Sequence, residues 1–405
     1  MRRANKGLAL IRFAVYAVSS YAVFLSALVF FPEFQPHLIY INWLRVPWGV
    51  NWSNMDGGAT EFGFLAGTVR TVKMTTPDNV TLGAWHILPS IKVPQSVRIA
   101  VQDEDEVSRD RRFTTELASA TRVFLYFHGN AGNRATYHRT DFYKMLQKIG
   151  ERSHVVAVDY RGFGDSDRHV PSERGVQIDA VTAFDWVTAQ GVDASKIVLV
   201  GHSLGTGVAT WLAHNLTVSR GIHGAGLLLL AAYASMPDAA LGYPMMPLLW
   251  PFKHHPDIAE KAKSLVGEKW DSANNIKQTG NWPVLLLHGR GDYEILPWQS
   301  RALFRNAVSA RYGRQTPELS KDLSEFDPTR GPDDVIVSVK PNANYQVRIY
   351  PRNEGWLYMS HPVKGDSGKV WYLDVLHAGH NSLGKFQIVD DVIQEWEASI
   401  GGVHR

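Results

Sequence analysis

The chain has 405 residues, enough for one large domain or two modest ones, and its 45% hydrophobic and 11% aromatic content is that of a sequence that folds. A net charge of +3 leaves no electrostatic footprint for nucleic acid, and none is expected as a partner. The absence of cysteine excludes disulfides, thiol catalysis and cysteine metal sites.

Residues 1–12 form a basic tail carrying Arg2, Arg3, Lys6 and Arg12 and no acid. Residues 13–31, FAVYAVSSYAVFLSALVFF, then run for 19 positions without a charge. As a helix this stretch is about 28 Å long, close to the thickness of a bilayer's hydrocarbon core. Pro32, Glu33 and Pro36 end it. A cleaved signal peptide is the main rival reading, but its apolar region is usually shorter and no small-x-small cleavage site precedes Pro32. A buried core helix fits poorly with the basic flank and terminal position. The reading is a transmembrane helix with a cytosolic N-terminus, which puts the remainder across the membrane. Three sequons, at Asn51, Asn79 and Asn215, fit a glycosylated far side, although Asn215 falls on an expected helix.

Residues 32–66, rich in Trp, Pro, Gly and Asn, read as a juxtamembrane linker, able to pack on the domain, that leads to one domain over 67–405. VRTVKMTT and VTLGAWHIL flank a turn at Pro77-Asp78-Asn79 and predict a hairpin. The charged stretch 90–121 reads as a surface loop. Beyond it, the short apolar runs VFLYF, HVVAVDY, KIVLV and GAGLLLLAA alternate with amphipathic helices near 137–150, 172–190 and 204–216. That alternation means βαβ units and a mostly parallel sheet flanked by helices, the α/β class. Two segments break the rhythm: a cap insertion at about 232–281, rich in Pro, Met and aromatics, and a second insertion at about 308–368 with strand-like pieces. The cap reads either as plain packing or as a lid over an apolar substrate.

Gly201-His202-Ser203-Leu204-Gly205 fits G-x-S-x-G between an apolar strand and an amphipathic helix, the strand–turn–helix elbow that exposes a nucleophilic serine. On this type of sheet the acid and the base follow the serine in that order, each just past a strand. After PVLLLHG comes Asp292, the acid candidate; Glu294 and Asp271 are its poorer rivals. After KVWYLDVL come His377 and His380. His380 follows Gly379 on a loop and is the base candidate, whereas His377 abuts the strand as a packing or supporting residue. Their i, i+3 spacing without a third ligand argues against a metal pair, and no metal or cofactor is expected. The oxyanion donors are assigned to the backbone N–H groups of Leu204 and of Asn130, the latter in His128-Gly129-Asn130-Ala131-Gly132-Asn133. His154-VVAV-Asp159 has acyltransferase-like spacing, but strand alternation sends its ends to opposite faces. DYRGFGDS (159–166) reads as structural.

The stretches FLYFHGNAGNRATYHRTDFYKML, VVAVDYRGFGDSDRHVPSERGVQIDAVTAFDWV and VLVGHSLGTGVATWLA, with LLLHGRGD and AGHN, resemble the α/β-hydrolase-domain serine hydrolases. They resemble most the membrane-anchored lysophosphatidylserine and monoacylglycerol lipases of the endoplasmic reticulum. The resemblance implies a single N-terminal span, a lumenal catalytic domain and a lysophospholipid or monoacylglycerol substrate. It carries Ser203, Asp292 and His380 over as nucleophile, acid and base. Two rival functions remain at this stage. One is a protein thioesterase or peptidase on the same fold. The other is a non-catalytic binding module, which the retention of all three residues disfavours.

Overall fold

The computed structural model describes residues 2–47, 59–90, 105–243, 255–312, 335–337, 345–350, 354–360 and 368–400. The first helix, α1 (Arg2–Phe30), contains the apolar run; residues 12–30 have a mean hydropathy of 1.9 and are not buried against the rest of the protein. By length and composition it can cross a bilayer. A short helix α2 (Gln35–Ile39) follows, and together with the irregular residues 40–47 it forms a strap across the domain. The expected sequon Asn51 lies outside the described residues. Asn79 is exposed at a turn, and Asn215 sits on a helix.

The hairpin is present: β1 (Val69–Thr75) pairs antiparallel with β2 (Thr81–Ile87), with Thr75 opposite Thr81. Residues 105–118 are not the loop expected from their charge. Asp105 caps the helix α3 (Glu106–Ala118) by accepting from Ser108 N–H, and Phe113 and Leu117 pin it to the domain. Two buried apolar residues on one face suffice to fix a helix that is otherwise charged. Then come β3 (Arg122–Phe127), α4 (Tyr137–Leu146), β4 (Ser153–Val158), α5 (Glu173–Ala189), β5 (Ile197–His202), α6 (Leu204–Arg220) and β6 (Gly226–Leu230). The region between β6 and the next strand carries α7 (Met236–Gly242), α8 (Pro256–Ser264) and α9 (Ser272–Asn275). Residues 244–254 of the expected cap lie outside the described part. β7 (Val284–Gly289), α10 (Trp298–Tyr312), β8 (Val335–Val337), β9 (Tyr345–Ile349), β10 (Gly355–Ser360), β11 (Val370–Val375) and α11 (Gln387–Ile400) complete the chain.

The strands form one sheet in the order β1-β2-β4-β3-β5-β6-β7-β11-β10-β9-β8. Its six central strands, β4 to β11 in that order, are parallel, and antiparallel strands extend both edges. A strand flanked by helices on both faces is buried on both, which is why β3 to β7 read as unbroken apolar runs. One core lies on each face: Leu125, Leu199, Val208 and Leu286 in one, Phe124, Val200, Leu285 and Leu373 in the other. This is the α/β-hydrolase arrangement. The described strands of the second insertion pair edge to edge onto β11, so this part of 308–368 widens the sheet.

Candidate active site

Ser203 joins β5 to α6 with φ +52° and ψ −119°, a left-handed conformation that costs an L-residue energy and is held by its surroundings. Its N–H donates to Leu230 O at 2.9 Å, and its carbonyl accepts from Thr206 N–H at 2.8 Å and Thr206 Oγ1 at 2.7 Å. The turn is possible because a Cβ on Gly201 would lie 2.4 Å from Gly205 O, and one on Gly205 2.0 Å from Phe127 O. Both positions therefore require glycine. Leu204 opens α6, and the first N–H groups of a helix have no partner inside it.

His380 Nε2 is 2.9 Å from Ser203 Oγ, and His380 Nδ1 is 2.8 Å from Asp292 Oδ2. With Nδ1–H donating to the carboxylate, Nε2 accepts from the serine hydroxyl. Asp292 follows β7 and His380 follows β11, the two strands being neighbours in the sheet. The Asp292 carboxylate accepts from four donors: Glu294 N–H and Ile295 N–H at Oδ1, both at 2.9 Å, and His380 and His288 at Oδ2. Burial opposes ionisation of Asp292, but the hydrogen bonds from His288 and His380 outweigh it and hold the carboxyl well below the usual carboxylate range. His288 Nε2–H is shared between Ile295 O at 2.9 Å and Asp292 Oδ2 at 3.3 Å. Ser300 Oγ holds the other ring nitrogen at 2.6 Å.

The rival acids sit elsewhere. Glu294 Oε2 approaches His380 Nε2 only to 3.8 Å, from the cavity side, and Asp271 caps α9. His377 is exposed on the turn after β11, where a packing role had been expected, because the strand ends at Val375. No group of three His, Asp or Glu side chains is placed to hold a metal among the described residues.

The loop 128–133 comes within contact of the serine: a Cβ on Gly129 would lie 3.1 Å from Ser203 Cβ. Below the loop is Arg139 of α4, 3% exposed, with no carboxylate within ion-pair distance among the described residues. Its guanidinium donates to the carbonyls of Asn133 (2.7 Å), Gly129 (3.2 Å), Asn130 (3.0 Å) and Ala131 (2.9 Å). In a trans peptide the C=O and the following N–H point in opposite directions. Drawing these carbonyls inwards therefore turns the N–H groups of Asn130, Ala131 and Gly132 away from Arg139. The strap takes two of the three: Ala131 N–H donates to Tyr40 O at 2.9 Å and Gly132 N–H to Leu44 O at 3.0 Å. The Asn130 N–H is the one not bonded to the strap. Tyr160 O–H supports the base of the loop through His128 O at 2.8 Å.

His202, beside the serine, donates from Nε2–H to the backbone carbonyl of His380 at 3.1 Å. Burial and then the neighbouring His380 push its pKa down to about 3, so no second positive charge forms beside His380. Of these supporting residues, the sequence reading had missed Arg139, His288 and His202. His288 and His202 lie inside the quoted motifs LLLHG and GHSLG, and position alone marked neither. His154 bonds His86 at 3.0 Å in the sheet, whereas Asp159 pairs with Arg134, so they are not a catalytic couple.

Two cavities meet at Ser203. The larger, about 470 Å³, is walled by Leu38, Ile41, Leu44 and Val46 of the strap region and by the 129–132 loop, with Phe24 of α1 at its edge. The smaller, about 100 Å³, lies against Met236, Ala239 and Tyr243 of the region after β6. Asn130, Ser203, Glu294 and His380 border both.

Against known proteins, the model of the alpha/beta hydrolase fold family matches residues 122–247. Lysophosphatidylserine lipase ABHD12 of Macaca fascicularis is 32% identical over 318 residues, 73% of this chain and 74% of that protein. Lysophosphatidylserine lipase ABHD12 of Mus musculus is 31% identical over the same shares. Protein ABHD12B of Homo sapiens is 29% identical over 70% of this chain and 72% of its own length.

Proposed function

The chain belongs to the α/β-hydrolase family of the lysophosphatidylserine lipases and is a carboxylic ester hydrolase acting on lipid esters, and from that premise we propose that it is a membrane-anchored lysophospholipid or monoacylglycerol lipase working through Ser203, His380 and Asp292. The observation that supports this most is the unbroken run of hydrogen bonds from Ser203 Oγ through His380 to a fully satisfied Asp292. The apolar cavities beside Ser203 suit an acyl chain.

In this reading His380 Nε2 takes the Ser203 proton as Oγ attacks the acyl carbonyl carbon. Asp292 stays ionised, fixes the tautomer and stabilises the imidazolium that forms. The N–H groups of Leu204 and Asn130 receive the oxyanion of the tetrahedral intermediate. His380 then gives its proton to the departing glycerol oxygen, which leaves an acyl ester on Ser203. A water, deprotonated by the same Nε2, attacks that ester; the proton then passes from Nε2 to Ser203 Oγ as the acyl–oxygen bond breaks, which releases the fatty acid and restores the serine. The helix α1 anchors the enzyme with its N-terminus in the cytosol and the domain on the lumenal side of the endoplasmic reticulum.

Ser203→Ala in microsomal membranes should lower turnover of a panel of lysophospholipids and monoacylglycerols by at least about 10⁴-fold. It should also abolish labelling by a fluorophosphonate. Wild-type turnover in the variant would sink the mechanism. Cleavage of the domain by protease added outside intact microsomes would sink the lumenal placement.

A further inference from the structure

Residues 35–46 do not behave as a spacer between anchor and enzyme. Gln35 donates from Nε2 to Leu265 O at 3.0 Å and accepts from Gly267 N–H at 2.7 Å. Tyr40 is fully buried; its hydroxyl donates to Glu268 at 2.6 Å and accepts from Trp270 Nε1–H at 3.2 Å. Asn42 Nδ2 reaches Gly162 O at 3.3 Å, and Asn133 Nδ2 reaches Val46 O at 3.2 Å. Between these fixed points Ile41 has φ +48°. For a β-branched residue that is a true backbone outlier, and such strain persists where the surroundings hold it, often at ligand sites.

The strap does two things at once. Its backbone carbonyls, Tyr40 O and Leu44 O, hold the loop that carries Asn130. Its side chains Leu38, Ile41, Leu44 and Val46 remain half-buried and form the apolar wall of the 470 Å³ cavity that ends at Ser203. Phe24 of α1 stands at the edge of the same cavity. An apolar wall left partly open at the base of a spanning helix is complementary to a hydrocarbon chain coming from the bilayer.

We propose that the strap 38–46 is the acyl-binding, chain-length-determining wall of this enzyme, and that the acyl chain enters from the membrane past Phe24. The proposal rests on the Ser203 reading above. It assigns to the membrane-proximal segment the substrate selection that the cap after β6 would otherwise be expected to perform.

The test uses the full chain in membranes and a series of saturated acyl esters, short to long, of one head group. Leu44→Trp fills the cavity and should lower the long-to-short ratio of kcat/KM by about tenfold, the loss of contact with about two methylenes. Leu44→Ala opens it and should move the preferred length upwards. An unchanged chain-length profile in both variants, each still labelled by a fluorophosphonate, would overturn the proposal. Leu44→Ala keeps the question open to refutation if the larger side chain prevents folding. A wild-type chain that is not labelled would instead fail the Ser203 reading, a result separate from an unchanged profile in a labelled enzyme.

Discussion

On one side of Ser203 stand His380, Asp292 and His288, side chains joined head to tail by hydrogen bonds and each delivered by the end of a β-strand or the loop after it. On the other side stands the 129–133 loop, whose carbonyls are drawn down by Arg139 and whose Ala131 and Gly132 N–H groups are held by the strap, leaving Asn130 N–H as the proposed oxyanion donor. The first side is specified by residue type. The second is specified mainly by which carbonyl meets which donor, together with glycine at 129 and 132, where a Cβ would lie 3.1 Å from Ser203 Cβ and 2.5 Å from Thr136 Oγ1. This difference predicts how each side fails. Losing a side chain on the first removes a chemical group, whereas losing a support on the second leaves every group present but misaimed.

The largest effect should come from Asp292→Asn, which keeps the shape but no longer holds Nδ1–H of His380. We expect kcat to fall by about 10⁴-fold in steady-state ester hydrolysis, with the far-ultraviolet circular dichroism unchanged. Arg139→Met should come next. With four carbonyls released, the Asn130 N–H drifts from the oxyanion position, and kcat should fall by about 10²-fold with little change in KM. Arg139→Lys keeps the charge but cannot reach four carbonyls, so it should recover only part of the loss. Full recovery would show that charge, not the fork of donors, is what the loop needs.

His288→Asn should cost about tenfold in kcat, the loss of one hydrogen bond to a charged group. It also carries a pH signature. The Asp292 carboxyl is held below its unfolded value, so it contributes stability above about pH 4 that is lost as pH falls through the depressed folded value. Weakening the hydrogen bonds raises the folded value and shrinks that contribution. The gap between the thermal midpoints of wild type and variant should therefore be constant near neutral pH and narrow progressively as pH falls below about 4 towards the depressed folded value. A gap that does not narrow at all as pH falls below about 4 would make His288 a packing residue. The smallest effect belongs to His377→Ala, on the exposed turn, which should leave kcat/KM within about twofold.

What the sequence determined by itself is what depends on neighbours along the chain. Nineteen uncharged residues are long enough to span a bilayer whatever follows them. Apolar runs separated by amphipathic stretches dictate a buried parallel sheet, because only a strand covered on both faces is apolar throughout. Gly201 and Gly205 around Ser203 mark a turn that tolerates no Cβ. Parallel strands deliver their C-terminal ends to one edge, which lets Ser203, Asp292 and His380, each just past a strand, be sought as one group.

Tertiary structure alone decided the rest. Residues 106–118 read as a loop because their charges hide two apolar residues that matter only once a surface exists to receive them. The strands of 335–360 read as part of an insertion because edge pairing is made by backbone, which carries no residue signature. Arg139 and the strap were invisible for the same reason. Both act on backbone carbonyls and amides far away in sequence, and the linker composition of 32–66 says nothing about which of its carbonyls will face Ala131 and Gly132. Side-chain chemistry is written in the residue names, whereas the aim of a peptide dipole is fixed only when distant segments pack together.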